Sequence, residues 1–262
     1  MAEPSKPKQT ITGSITIKNP KTRYKLYVGT PAYGSSFSAE YVLSLFMLLT
    51  SPAKETVSFK YSYFDYADVV IARNYLISDF YYNSPDCTHL LFIDDDMGYE
   101  PALIADMLRL GEDVVGTIYP KRKIDLKKLH AAKDLSFEKA LAKSLEFIGT
   151  IRKPQERKNE FASVTQCGTG IMMISRACID KMIAAMPGIV DTKSFKKLPF
   201  GEKFAKMITP FDKVMVNGEE LSEDFSFCHR WIEGCNGKIW ASIHRNIRHA
   251  GRMVYDSKYS DL

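Results

Sequence analysis

Cysteine is scarce in this chain and follows no pattern. Five occur, at Cys87, Cys167, Cys178, Cys228 and Cys235, and no two form a C-x-x-C pair. An odd, scattered set argues against a disulfide scaffold and against a zinc knuckle. It reads instead as reduced, mostly buried thiols in a cytosolic protein. No apolar run approaches the ~18 residues that a membrane-spanning helix needs. Residues 1–19 are polar and lack an apolar h-region, so no signal peptide is read there. There is no G-x-x-x-x-G-K-[ST], no G-x-G-x-x-G and no G-x-S-x-G. P-loop, dinucleotide-binding and nucleophile-elbow readings therefore lack support. Internal repeats are absent, and the 15 Gly and 12 Pro show no period, which excludes a collagen-like chain.

What is present is the composition of a folded protein. The 262 residues are 45% hydrophobic and 12% aromatic, too apolar for a solvated coil. That length fits one large domain or two small ones. Lys and Arg number 36 against 31 Asp and Glu, a net charge of +5, too weak alone to argue for nucleic acid.

Residues 1–23 read as a loose polar arm. Leu26–Gly29 forms a first strand, and Thr30-Pro31-Ala32-Tyr33-Gly34 turns it toward a helix over about 38–49. Val57, Phe59, Tyr61 and Tyr63 alternate as a second strand. A helix spans Asp68 to Tyr82 and carries Arg73 and Asn74. His89–Ile93 is a short continuous apolar run, the mark of a strand buried on both faces. Pro101 opens a helix that Gly111 ends, and Val114–Gly116 is the next strand. This alternation predicts an α/β fold, a mostly parallel sheet flanked by helices, with ligands at the carboxyl ends of the strands. The C-terminal half is less regular. It holds a helix over 136–147, a strand over 171–174, a helix near 177–186 and a basic loop over 187–217. A helix then runs from Ser222 to about Glu233 with Phe225, Cys228, Trp231, Ile232 and Cys235 as its buried stripe, followed by a strand over 238–243.

Three features carry chemistry. Asp94, Asp95 and Asp96 close the apolar strand, where packed like charges cost free energy unless a cation or donor offsets them. In an extended chain positions i and i+2 share a side, so Asp94 and Asp96 are expected to face one ligand. Their hard oxygens suit Mg²⁺ or Mn²⁺ and, through it, a diphosphate. A solvated acidic turn is the plain alternative. Second, Glu223 and Asp224 start a helix, either as dipole stabilisers or as a general base aimed at a site. Third, His249-Ala250-Gly251 offers an imidazole, which as a third ligand would favour Mn²⁺ over Ca²⁺.

The order of these pieces resembles a GT-A fold nucleotide-sugar glycosyltransferase. The resemblance is carried by Asp94–Asp96, Glu223-Asp224, Gly237-Lys238-Ile239-Trp240 and His249-Ala250-Gly251, in that order. Val28–Gly34 and Ala72-Arg73-Asn74 are similar to small bacterial and phage members near glycosyltransferase family 2. There is a more distant similarity to fungal mannan-polymerase-type mannosyltransferases. It covers about residues 25–255 and implies one GT-A (Rossmann-like) domain over 24–255. Its donor half is about 24–120, a basic helical insertion about 121–160, an acceptor half about 161–255, and 256–262 a tail.

The resemblance also implies roles. Thr30, Pro31 and Tyr33 would line the nucleoside pocket, with Asp65 at the base or ribose. Arg73 and Lys121 would reach the nucleotide or diphosphate. Asp94 would hold the ribose or a metal-bound water, with Asp95 beside it, and Asp96 and His249 would bind the metal with Asp94. Asp224 would act on the acceptor hydroxyl, with Glu223 second. The cofactor would be Mn²⁺ or Mg²⁺, the donor a nucleoside-diphosphate sugar, and the acceptor a saccharide or lipid-linked glycan. A modified DNA base is an alternative acceptor; nucleotidyl transfer and a non-catalytic binding module are alternative functions. Gly168-Thr169-Gly170 would form acceptor wall, where glycine admits a close ligand. Trp231 lies on the apolar stripe and reads as core. The expected location is the cytoplasm. Residues 121–158 hold 12 Lys and Arg against 5 Asp and Glu, or +7, leaving −2 for the rest. That insertion is expected to meet an anionic acceptor, the membrane periphery or a second copy of the chain.

Overall fold

The computed structural model describes residues 14–17, 23–51 and 57–252. In chain order β1 (Ser14–Ile17) and β2 (Tyr24–Ala32) precede α1 (Ala39–Thr50), β3 (Val57–Asp65) and α2 (Val69–Asn83). Then come β4 (His89–Ile93), β5 (Met97–Gly98), α3 (Pro101–Leu110), β6 (Val114–Thr117) and β7 (Tyr119–Ile124). Next are α4 (Leu126–Ala131), α5 (Phe137–Ser144), β8 (Leu145–Ile148), β9 (Thr150–Ile151), β10 (Arg157–Lys158) and β11 (Phe161–Gln166). β12 (Ile171–Ser175) leads to α6 (Arg176–Ala185), then to the small ribbons β13 (Val190–Asp191) with β14 (Met207–Ile208) and β15 (Met215–Val216) with β16 (Glu219–Glu220). The chain ends in α7 (Glu223–His229), a wider π-type turn over Arg230–Gly234, β17 (Ile239–Ser242) and β18 (Arg248–His249).

Ten strands form the central sheet, in the order β1-β3-β2-β4-β12-β6-β17-β11-β10 with β9 also on β11. β2 is parallel to β3 and β4, and β6 is parallel to β17. β12 enters antiparallel between β4 and β6. Traced through the pairings, only β1, β11 and β12 run against the other seven, so the sheet is mostly parallel in strand direction.

Alternation along the strands builds two cores, since successive side chains leave opposite faces. Leu26, Val28, Leu91 and Ile93 pack with α1 and α3 on one face. Tyr27, Leu90 and Phe92 pack with α2, α6 and the loop aromatics Phe200 and Phe211 on the other. The local signals behave as their chemistry requires. Ser38 and Asp68 cap α1 and α2, with the Asp68 carboxylate accepting from Val70 and Ile71. Pro101 starts α3, and Gly111 ends it in a left-handed conformation. Residues Ala72–Phe80 of α2 are all buried, because sheet and aromatic loop cover both sides of that helix.

Three expectations change. Ser14–Ile17 is an edge strand on β3 rather than loose arm; the remainder of the arm before Arg23, and the tail, lie outside the described residues. The insertion is less helical than its composition implies. Its helix stops at Ser144, and Leu145–Ile148 pairs with β7 as a hairpin. Cys228 and Trp231 are buried as expected and Ile232 and Cys235 pack partly buried against the core, but the buried aromatic of α7 is Phe227 and Phe225 is only half-buried. All five cysteines are free, and four are buried. No helix among the described residues is long and apolar enough to cross a membrane.

Candidate functional site

Arg73 is the centre of the site. α2 carries it into the interior, so its guanidinium must find charge there. Nη1 lies 3.0 Å from Asp94 Oδ1, Nη2 donates to Asp94 Oδ2 at 3.1 Å, and Nε lies 3.5 Å from Glu223 Oε1. Burial alone would lower the Arg73 pKa; Asp94 and then Glu223 more than offset it, and the cation is retained. Burial raises Asp94, against the pull of Arg73 and with repulsion from Asp96 and Glu223. Arg73 therefore ties the end of β4 to the start of α7, with Asp94 and Glu223 129 positions apart.

Asp224 follows on the same helix start. One oxygen accepts from the Ser222 hydroxyl and from the Phe225 backbone N–H at 2.8 Å, leaving the other without a bond among the described residues. Burial raises its pKa, with Glu223 adding repulsion against the Ser222 bond. The unbonded oxygen is the one that can accept from a ligand.

The strand stops at Ile93, so the alternation expected for Asp94 and Asp96 does not continue through the turn. Asp94 turns both oxygens to Arg73, while Asp96 faces a second cluster. Asp96 Oδ2 accepts from Arg122 Nη1 at 2.7 Å and lies 3.4 Å from His249 Nε2. His249 Nδ1–H donates to the Pro120 carbonyl at 2.8 Å, which fixes the ring and aims Nε2 at Asp96. Burial lowers the His249 pKa, but Asp96 and Pro120 outweigh it and the net shift is upward. Asp95 is pushed up to about 6, first by burial and then by Asp96 and Asp94. Asp95 and Asp96 open into a cleft of about 640 Å³ with Ser36, Phe37, Arg122 and Gly251. The Arg122 stem lies so close to Gly251 that a Cβ there would sit 2.9 Å from it.

The other expected residues have other neighbours. The Thr30 hydroxyl is fully buried and shares a 2.6 Å hydrogen bond with Tyr41. Pro31 is buried beside it. Tyr33 is 71% exposed and outside the lining of the cleft. Asp65 accepts from Gly34 N–H at 3.0 Å and from the Ser35 hydroxyl at 2.5 Å, so it holds the turn. That turn needs it, because Gly34 and Ser35 both have positive φ. Lys121 pairs with Glu146 across the hairpin, exposed. The space beside Gly168 and Gly170 is filled by Tyr119: a Cβ would sit 2.3 Å from its hydroxyl oxygen at Gly168 and 2.8 Å from its ring at Gly170. These glycines admit a side chain of the protein rather than a ligand. The Tyr119 hydroxyl accepts from Gly170 N–H at 3.2 Å, and its ring packs on His249.

Sequence reading missed Arg122 and Phe37. Phe37 lines the cleft and stacks on Tyr41 at 5.5 Å. Its place just before the Ser38 cap was its one visible signal. Arg122 had none, since the hairpin register alone delivers it to Asp96.

Among the described residues no three His, Cys, Asp or Glu side chains form a ready metal set. Asp96 Oδ2 and His249 Nε2 supply two converging ligand atoms, and Mg²⁺ or Mn²⁺ in diphosphate sites often takes few protein ligands and fills the rest with phosphate and water. Arg122 already brings a positive charge to that oxygen. Arg73 Nε and Nη1 and Asp94 Oδ1 are taken up by the ion pairs among Arg73, Asp94 and Glu223 behind the cleft. Asp96 and His249 are the two residues that would hold such a cation, with its other positions left to phosphate and water.

No protein-family model matches the chain, and comparison with curated proteins gives no match. Among solved structures, the chain is similar to A197 from STIV at 16% identity and a TM-score of 0.42, over 90% of this chain and 98% of that one.

Proposed function

We propose that this chain transfers a sugar from a nucleoside-diphosphate sugar to an acceptor hydroxyl, with a divalent cation, in the cytoplasm. One observation carries the reading. Asp94–Asp96, Glu223–Asp224 and His249, far apart in sequence, lie in two charge clusters joined through Asp94–Asp96 at the carboxyl end of β4. That is where a mostly parallel α/β sheet presents its ligands.

Asp96 and His249 would hold the cation, with Arg122 meeting the diphosphate beside them. When bound, the cation supplies Lewis-acid neutralisation of charge on the leaving diphosphate. Phe37, rather than Tyr33, is the aromatic that faces the cleft and offers a platform to the base. Arg73 holds Glu223 in place, and so sets the start of α7 from which Asp224 projects. In an inverting transfer the free Asp224 oxygen takes the hydroxyl proton as the acceptor oxygen attacks the anomeric carbon and the bond to the diphosphate breaks. In a retaining transfer the same carboxylate orients the acceptor.

The test is thermal. Mn²⁺ with a nucleoside diphosphate at about 100 times Kd should raise Tm by about 5–10 °C, from roughly 2.7 kcal/mol of binding linkage. Asp96→Ala should remove the shift. A chain whose Tm responds to no nucleoside diphosphate would sink the reading.

A further inference from the structure

The segment between β6 and β9 is built differently from the rest of the molecule. α4 has no buried residue, and α5 buries only Ala140 and Ser144. Large apolar side chains stand in solvent there, with Leu126 60% and Phe137 69% exposed. Ile124 and Phe147 are exposed too. Ile124 sits opposite Leu145 in the hairpin, and Phe147, two residues beyond Leu145, shares that face. Between these residues lies a dense positive charge. Residues 121–147 hold seven Lys and one Arg against four Asp and Glu, a net +4. Lys121 and Lys128 pair with Glu146 and Asp125. Lys123, Lys127, Lys133, Lys139 and Lys143 form no ion pair among the described residues. An open cleft of about 450 Å³ between α4 and α5 is lined by Ala131, Ala132 and Leu135 with Lys128, Lys143 and one acid, Asp134.

We propose that this insertion is a docking surface for an anionic lipid bilayer. Exposed Leu, Ile and Phe interleaved with Lys is the composition of an interfacial membrane element: apolar groups enter the headgroup boundary while lysines meet lipid charge. The lysine stems also cover apolar surface while their ammonium groups stay in the polar layer. A second copy of the chain is a poorer occupant, because the cores of protein interfaces are depleted in Lys. Nucleic acid is poorer too. Arg is the residue favoured for phosphate forks, and one Arg stands here among seven Lys. The same β7 strand delivers Arg122 to Asp96, so a docked insertion holds the cleft at the bilayer surface.

The test is flotation of the full chain with vesicles of phosphatidylcholine, with and without about 30% phosphatidylserine. It needs no nucleotide or turnover, so its outcome is independent of the sugar-transfer reading. Binding is expected with phosphatidylserine and not without it. Lys127→Gln/Lys128→Gln/Lys133→Gln should weaken it on the order of a hundredfold. Leu126→Ser/Phe137→Ser, which keeps every charge, should weaken it by about tenfold or more. A wild-type chain that ignores the anionic vesicles overturns the proposal. So does retention of binding by the Leu126/Phe137 variant, and so does duplex DNA bound in a salt-dependent way with no vesicle binding, which would mark a nucleic-acid surface.

Discussion

The chemistry rests on single side chains, and Asp224 bears the most. Its carboxyl is raised by burial, so the folded state holds that proton more tightly than the unfolded chain does. Stability from this group therefore falls as pH rises from the unfolded pKa through the raised one, and stays lower above it. Asp224→Asn removes the charge yet can keep both hydrogen bonds to its Oδ1. The variant should lose about 10²–10⁴-fold in turnover. Its Tm should equal or exceed the wild type's at pH 8, with the gap closing below the usual carboxylate range. A variant that melts lower at every pH would contradict this sign. Phe37 gives a second check. Phe37→Ala should weaken nucleoside-diphosphate binding by about 1–3 kcal/mol, the value of one base on an aromatic platform, while Tyr33→Ala should change it little. Calorimetric titration of both variants decides between the two rings. Asp94, Asp96, Glu223 and Asp224 stand out in the sequence because charge at a strand end or helix start is conspicuous, and His249 because an imidazole in a late His-Ala-Gly is. Arg122 was not, because its role comes from a hairpin register that no local pattern encodes.

At the scale of elements, periodic segments were legible and charged ones were not. β4 and α3 were read almost to the residue: an apolar run, a Pro at one end and a left-handed Gly at the other leave little freedom. β7 carries Lys121, Arg122 and Lys123 in a row, which masks its alternation, and β8 follows α5 without a turn residue between them, so its start reads as more helix. The loop into β12 was read for its glycines but not for what they accommodate. Tyr119 fills that space and supports His249. Gly168→Ala should cost about 1–3 kcal/mol by overpacking against the Tyr119 hydroxyl. Tyr119→Phe removes that oxygen, so the double variant should be more stable than the sum of the single effects. Denaturant unfolding of the four proteins measures the coupling, and strict additivity would mean that Gly168 has another reason.

For the molecule as a whole, the α/β class and the flanking helices follow from the order of apolar runs, since a sheet with helices on both faces needs strands buried on both sides. The insertion of antiparallel β12 between β4 and β6 does not follow. It depends on pairings with two strands distant in sequence, β4 and β6, and that is not a property of any one segment. The weak +5 of the sequence resolves into an acidic cluster at the strand ends beside a basic insertion. On the proposed reading, the first would take a cation and a diphosphate and the second an anionic surface.

Release of nucleotide from a set of nucleoside-diphosphate sugars, followed with Mn²⁺ present, separates sugar transfer from nucleotidyl transfer and from simple binding. The account predicts that one donor yields free nucleoside diphosphate, and that Asp96→Ala and Asp224→Asn both abolish the release. Pyrophosphate as the product, or release unchanged by either substitution, would contradict it.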